Sequence, residues 1–381
     1  MRTLSPRTRA LIGFAALGTF WGPLGAALPA LQRRADAGDA DLGVALVALA
    51  AGALLAMRAT GVLMDRFGPA LTPLTVAALA VSAALPGLAT SPGQLSAALF
   101  VVGVTSGAVD VAINADAVRE ELASGRTLMN LAHAFFSGAV VVASVATGVL
   151  RWAGAEPLGV FAAAAVLVLA AAVAMRTGPI RWAPEPGGRP RMFDRVPGWL
   201  LALGALGALA FWIENAWQSW GAVYLERSLD APPLTSSLGP ALFAASMTAG
   251  RLAVHRLARP GAERQVLVIG AALAASGSAV AAFAPSVWLA LAGILVAGAG
   301  CSVCAPTILS IGGRAARPQE RATIVGSLAT VMYVGFLVGP AAVGGIAEAT
   351  TLRVSLGSVA AIGFLLTLLF GVVRFPPGAA G

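Results

Sequence analysis

The chain contains no lysine; all 25 of its basic residues are arginine. That absence excludes the phosphate-cradling loop G-x-x-x-x-G-K-[ST], which needs its lysine, and it excludes Schiff-base chemistry. ATP hydrolysis on this chain therefore drives nothing. Charge of either sign is scarce, at 11% of 381 residues, against roughly 25% in soluble domains. The two histidines, His133 and His255, stand 122 residues apart and make a poor metal set. No H-E-x-x-H, G-x-S-G or G-x-S-x-G string occurs, so an intramembrane enzyme has no machinery to point to. Neither metal nor cofactor is expected. Cys301 and Cys304 form an isolated C-x-x-C in an apolar run. Without a second pair they read as small packed residues rather than a redox or metal site.

What is present is apolar surface. Hydrophobic residues make up 58% of the chain, and the mean hydropathy is +0.84. A water-soluble globule of this size cannot hide that much, and about 20 apolar residues suffice for one helical crossing of a bilayer. Apolar runs between charges and turns predict twelve spans, near 9–30, 42–60, 70–89, 94–118, 127–150, 157–175, 197–224, 235–254, 265–284, 286–311, 322–346 and 353–373. The basic, apolar beginning of the chain is read as a retained first span rather than a cleaved signal peptide.

Arginine placement sets the orientation. With the N-terminus in the cytoplasm, 20 arginines fall on the cytoplasmic side or adjoining helix ends. Five fall outside: Arg33, Arg34, Arg151, Arg227 and Arg353. The positive-inside rule then selects cytoplasmic N- and C-termini. The net charge of +8 belongs to that membrane face, and no nucleic-acid partner is expected. The longest hydrophilic stretch, 176–196, carries five arginines and many prolines and glycines at mid-chain. It predicts a cytoplasmic linker between an N-terminal six-helix bundle, 1–175, and a C-terminal one, 197–381. The halves echo one another. Phe20-Trp21 recurs as Phe211-Trp212, Asp65-Arg66 as His255-Arg256, and Gly103, Arg119 and Arg126 as Gly298, Arg314 and Arg321, at offsets of 190 to 195 residues.

The segment GVLMDRFG at 61–68 resembles the loop signature Gly-x-x-x-Asp-Arg-x-Gly of the major facilitator superfamily, through Gly61, Asp65, Arg66 and Gly68. The basic residues that usually follow are replaced by Pro69 and Ala70. A degenerate copy, GRLAVHRL at 250–257, falls at the matching place in the second half. With the spans and the linker, the resemblance covers the whole chain. The strings DVAINADAVRE, GRTLMNLAHAFFSGA and ENAWQSWGAVYLERSL look like a bacterial branch near the fucose-permease-like carriers. The resemblance implies an all-α fold of two pseudo-symmetric six-helix bundles, with spans one, four, seven and ten around a central cavity. It also implies a gating latch at Gly61, Asp65, Arg66 and Gly68 with Arg119 at the end of span four. GFLVGPAAVGG in span eleven is similar to the antiporter signature, but it sits in the wrong span and carries one extra residue before Gly344.

Ionisable residues at membrane depth cost a few kcal/mol and are functional candidates by default. In span four, Asp110 and Asn114 are four apart and share a face, with Gly103 and Gly107 continuing it. Asp110 lies roughly 13 Å from the cytoplasmic end at 1.5 Å per residue. A carboxyl group there suits proton uptake and release, and Asp110 is also a substrate candidate. Asp116 suits pairing with Arg119. In span five, His133 shares a face with Asn130 and Ser137, and serves either packing or proton relay. In span seven, Glu214, Trp217, Gln218 and Gly221 share a face, with Trp212 and Asn215 beside it. A carboxylate among aromatics suits organic cations or sugar rings; the Trp220 indole suits the membrane interface instead. Ser302, Thr307 and Ser310 on span ten are weaker lining candidates, with a kink at Pro306.

The sequence therefore predicts a monomeric secondary transporter in the bacterial cytoplasmic membrane. It moves a small organic solute by alternating access, with protons bound at Asp110, Glu214 or His133. Export, as in an antiporter, is slightly favoured; proton-coupled import of a sugar-like or other polar solute is the alternative. A transporter-derived sensor would have lost its cavity carboxylates, which are present here.

Overall fold

The computed structural model describes residues 4–176, 197–257, 261–317, 321–373 and 375; the side chains at 255–257 and 321–323 are outside the description. All but the first residue of the expected linker, and the side chains of His255, Arg256 and Arg321, therefore lie outside the described residues.

The first helices are α1 (Pro6–Arg34), α2 (Asp39–Phe67), α3 (Leu71–Ala83), α4 (Leu85–Leu88), α5 (Pro92–Ser124), α6 (Met129–Trp152) and α7 (Pro157–Ala174). There follow α8 (Gly198–Leu229), α9 (Pro233–Ser236), α10 (Leu238–Leu257), α11 (Glu263–Ala282), α12 (Val287–Cys301), α13 (Cys304–Ala315), α14 (Arg321–Met332), α15 (Val334–Ala349) and α16 (Leu352–Val372). Their starts follow ordinary capping chemistry. Ser5, Ser91, Ser286 and Thr351 each accept a backbone N–H of the first turn, and Pro6, Pro92 and Pro157 occupy first helical positions, where no N–H is needed. Gly68 ends α2 at φ 60° and ψ −149°, a conformation only glycine adopts easily.

Ten helical stretches among the described residues are long and apolar enough to cross a membrane. One of them, the 50 residues Asp39–Leu88, contains the expected span 42–60 and all but the last residue of 70–89. The expected eighth span is helical as α10 but is not among the ten.

Cα packing divides the described residues into two compact units. One comprises those before 177 together with Pro232–Ala241; the other runs from 197 to Ala231 and resumes at Leu242. The exchange of Pro232–Ala241 was invisible to a simple mid-chain division. That segment packs on α6, where a Cβ on Gly148 would overlap the Ser237 hydroxyl.

The two units share a set of helix pairings. In the first, α1 packs on α5, α6 and α7, and α3 on α5 and α7. In the second, α8 packs on α12–α13, α14–α15 and α16, and α11 on α12 and α16. These pairings correspond one to one, so the repeat legible in scattered sequence echoes is a repeat of packing. Glycine makes the close crossings. A Cβ on Gly103 would overlap the Leu49 carbonyl where α5 meets α2, and one on Gly335 the Ala208 carbonyl where α15 meets α8. Outward faces are apolar: Val81, Val142 and Val372 are each at least 70% exposed. In lipid such surfaces carry no penalty, and the satisfied helical backbone is what makes crossing feasible.

Candidate functional site

In the first unit, α5 carries the Asp110 and Asn114 face. The two side chains are half-buried, and the Asn114 amide donates to the Asp110 carboxylate at 3.1 Å and to its carbonyl at 2.8 Å. The glycines one and two turns away are spent on packing, Gly103 and Gly107 lying against α2 at Leu49 and Ala53. His133 on α6 is half-buried, with its ring 4.9 Å from that of Phe14 on α1. Its Nδ1 lies 3.0 Å from the Met129 carbonyl, so Nδ1 carries the proton and donates, and the residue has a further interaction of its own.

In the second unit, α8 presents Glu214, which is nine-tenths buried and accepts from the Gln218 amide at 3.0 Å. The same amide lies 3.8 Å from the Met247 sulfur on α10. Asn215 is half-buried and accepts the Ser219 hydroxyl at 3.4 Å. Each unit thus holds a carboxylate tied to an amide one turn further along its helix. An amide N–H can donate to a carboxylate or to the carbonyl oxygen of a carboxylic acid, so the tie survives a change of protonation.

Two aromatic expectations need correction. Trp217 is fully buried, and its indole N–H donates to Ser278 on α11 at 2.8 Å. Its ring stacks edge-on against Tyr224, whose hydroxyl donates to the Ala282 carbonyl. Trp217 joins α8 to α11 and has no surface left for a ligand. Trp220 is also fully buried, not an interfacial residue. Trp212, by contrast, is half-buried and packs beside Gly339 on α15. Ser302 is sealed against Gly250 of α10, Thr307 is half-buried, and Ser310 accepts from Arg314, so this set does not form one polar lining. Cys301 and Cys304 are buried free thiols.

The loop residues divide. A Cβ on Gly61 would meet nothing within 4 Å, so Gly61 is not a close-approach glycine. Arg66 lies over the Phe67 ring at 5.2 Å. Arg119 is paired with Asp116 at 2.8 Å, and Asp116 also accepts the Thr72 hydroxyl at 2.7 Å. Arg9, which is buried, donates to the Pro69 carbonyl and lies in electrostatic reach of Asp116. Together these contacts fasten α1, the 68–70 turn, α3 and α5 at one end of the unit. Asp65 also has an interaction partner.

Three contributions escaped sequence reasoning. Arg9 had been counted only as a membrane-face charge. An aromatic cluster of Phe211, Tyr333 and Phe336, with ring centroids 4.6 to 5.7 Å apart, stands beside Trp212, where α14 gives way to α15. Most informative is Arg251. Pro306 has no N–H to offer the carbonyl four residues earlier. That carbonyl is Ser302, at the break between α12 and α13, and it accepts from Arg251 Nε at 3.3 Å. Arg251 is thereby held within electrostatic reach of Glu214, as are the two thiols at the break. The signal was available in the spacing of Pro306 from Ser302, but not the identity of the donor.

Helical units with apolar exteriors, built from segments long and apolar enough to cross a bilayer, define a multi-pass membrane protein. Comparison with known proteins gives the family. The model of the Major Facilitator Superfamily matches residues 219–380. An uncharacterised MFS-type transporter of Yersinia pestis is 34% identical over 364 residues, covering 95% of this chain and 93% of its own. The membrane protein MosC of Rhizobium meliloti is 29% identical, over 89% of this chain and 83% of its own. Among solved structures, a variant of the nucleoside transporter NupG superposes with a TM-score of 0.81 at 12% identity, covering 96% of this chain and 99% of the other. A D-xylose–proton symporter superposes at 0.74 with 14% identity, over 98% of each. The chain belongs to the Major Facilitator Superfamily. It is a secondary transporter of a small-molecule substrate, not an enzyme, and a multi-pass membrane protein, in bacteria of the plasma membrane.

Proposed function

We propose that this transporter is proton-coupled and works by alternating access, with Asp110 and Glu214 as its proton-binding acids and Asn114, Gln218, Asn215 and Trp212 among its solute contacts. The observation that carries the reading is the carboxylate–amide pair in each unit, 3.1 Å at Asp110–Asn114 and 3.0 Å at Glu214–Gln218. Twelve crossings, cytoplasmic termini, a monomer, and bundles 1–175 and 197–381 joined by 176–196 complete the reading. The 20-to-5 arginine asymmetry supports the orientation. Moving one charge through 100 mV is worth about 2.3 kcal/mol, enough to drive a solute against roughly a fiftyfold gradient. The latch contribution falls to Asp65, Arg66, Gly68 and Arg119; His133 is a secondary proton site.

Export of a cationic or amphipathic solute is favoured by the acids and by the Phe211, Tyr333, Phe336 and Trp212 rings. The Arg251 charge within electrostatic reach of Glu214 favours the second reading, import of a polar, sugar-like solute, because it offsets one acid's pull on a cation. That this fold can couple a sugar to protons is supported by the xylose symporter among its structural neighbours. The test uses proteoliposomes under an imposed pH gradient of either sign. The Asp110→Asn/Glu214→Gln variant should lose gradient-driven flux of a screened solute while retaining some exchange. Undiminished gradient-driven flux in that variant refutes the coupling assignment, and the productive gradient sign separates export from import.

A further inference from the structure

At the end of α1 remote from its N-terminus, the first unit contains a cavity of about 480 Å³. It is lined by Arg33 and Arg34 of the last turn of α1, Arg151 of the last turn of α6, Gly154, and Glu156 before α7. On the orientation proposed above, these are three of the five arginines on the outer face, gathered in one place. Helix ends alone do not account for so much positive charge. The ends of α1 and α6 each present about half a negative charge and the start of α7 about half a positive one. Among the lining side chains, three guanidinium groups and one carboxylate outweigh that balance, Arg33 and Arg151 each keeping a further interaction of their own.

The arginines also differ in how far they are satisfied. Arg151 is buried and donates to the Ala26 carbonyl, which fixes α6 to α1. Arg34 reaches Glu156 only at 3.4 Å, and that carboxylate is 77% exposed. The Nε of Arg34 is buried and has no hydrogen-bond partner in the structure. The Arg34 side chain as a whole is 31% exposed, so its terminal guanidinium nitrogens are the ones open to a ligand. Guanidinium groups match phosphate oxygens in number and geometry.

Depth indicates the source. The 29 residues of α1 extend roughly 43 Å at 1.5 Å each, which matches a bilayer thickness of about 40–45 Å including headgroups. The cavity therefore stands at headgroup level. Trp152, 69% exposed, and the exposed Leu150 and Leu158 flank it and face outward, as residues bordering acyl chains do.

We infer that this cavity binds the phosphate of an anionic phospholipid headgroup, through Arg33 and Arg34, with Arg151 as its fixed floor. The test is native mass spectrometry on delipidated full-length protein offered phosphatidylglycerol or zwitterionic phosphatidylethanolamine, with thermal unfolding in inorganic phosphate as a parallel arm. Phosphatidylglycerol should be retained in preference. At about 1 kcal/mol per surface arginine, Arg33→Gln/Arg34→Gln should weaken its retention about thirtyfold, and Arg33→Lys/Arg34→Lys should restore most of it. An unchanged melting temperature without lipid shows that the Gln variant is folded. Equal retention of both lipids, or of phosphatidylglycerol by wild type and Gln variant, overturns the proposal. Stabilisation of wild type alone by millimolar phosphate, without a lipid preference, overturns the lipid source and upholds a soluble phosphate ligand in the same cavity.

Discussion

The broken tenth span permits a sharp energetic prediction. Ser302 is fully buried, its carbonyl cannot receive the N–H that Pro306 lacks, and Arg251 Nε supplies a donor at 3.3 Å. Replacing Arg251 by Met keeps much of the aliphatic length and removes the donor. A buried carbonyl left without a partner costs about 1–3 kcal/mol; the 3.3 Å length and partial exposure of Arg251 place the expected loss near the lower end, about 1 kcal/mol. Pro306→Ala restores a backbone N–H in register with that carbonyl. In that background Arg251→Met should therefore cost less than about 0.5 kcal/mol, giving a coupling of at least half the single-variant effect. The assay is reversible unfolding in mixed micelles on all four proteins of the cycle. Equal costs of Arg251→Met with and without Pro306 would show that the carbonyl contact contributes nothing, and the account of how Arg251 is held beside Glu214 would fall with it.

Other expectations concern packing against function. Trp217→Phe should lower stability by about 1 kcal/mol through the lost Ser278 hydrogen bond while leaving the KM for solute unchanged; a several-fold KM change at unchanged stability would return Trp217 to the binding site. Gly103→Ala should destabilise by about 1–3 kcal/mol, because the new methyl group drives α5 off the Leu49 carbonyl. Gly138→Ala, where a Cβ meets nothing within 4 Å, should instead be neutral or stabilise by up to about 1 kcal/mol. Unfolding midpoints of the two variants check both, and loss of stability at Gly138 alone would contradict the packing described.

Much was fixed by composition and pattern. A chain with 58% hydrophobic residues and 11% charged ones has no soluble solution, and continuous apolar runs of about 20 residues satisfy their own N–H and C=O groups in lipid as helices. Spacing of four along a helix likewise makes the Asp110–Asn114 and Glu214–Gln218 pairs legible in the sequence alone, since such residues are neighbours on any α-helix. Asp116 with Arg119 followed from the same rule. Periodicity says which residues share a face; it does not say what that face meets. Trp217 and Glu214 share one, yet α11 lies close enough to take the indole. Gly61 and Gly68 belong to one motif, but one lies in open space and the other supplies a positive φ. The partner of the Ser302 carbonyl comes from a helix some fifty residues away in sequence, and no local pattern names it. The two sets differ because contacts within a helix are dictated by its own geometry, whereas contacts between helices depend on how side-chain volumes and unsatisfied backbone groups settle across the whole unit.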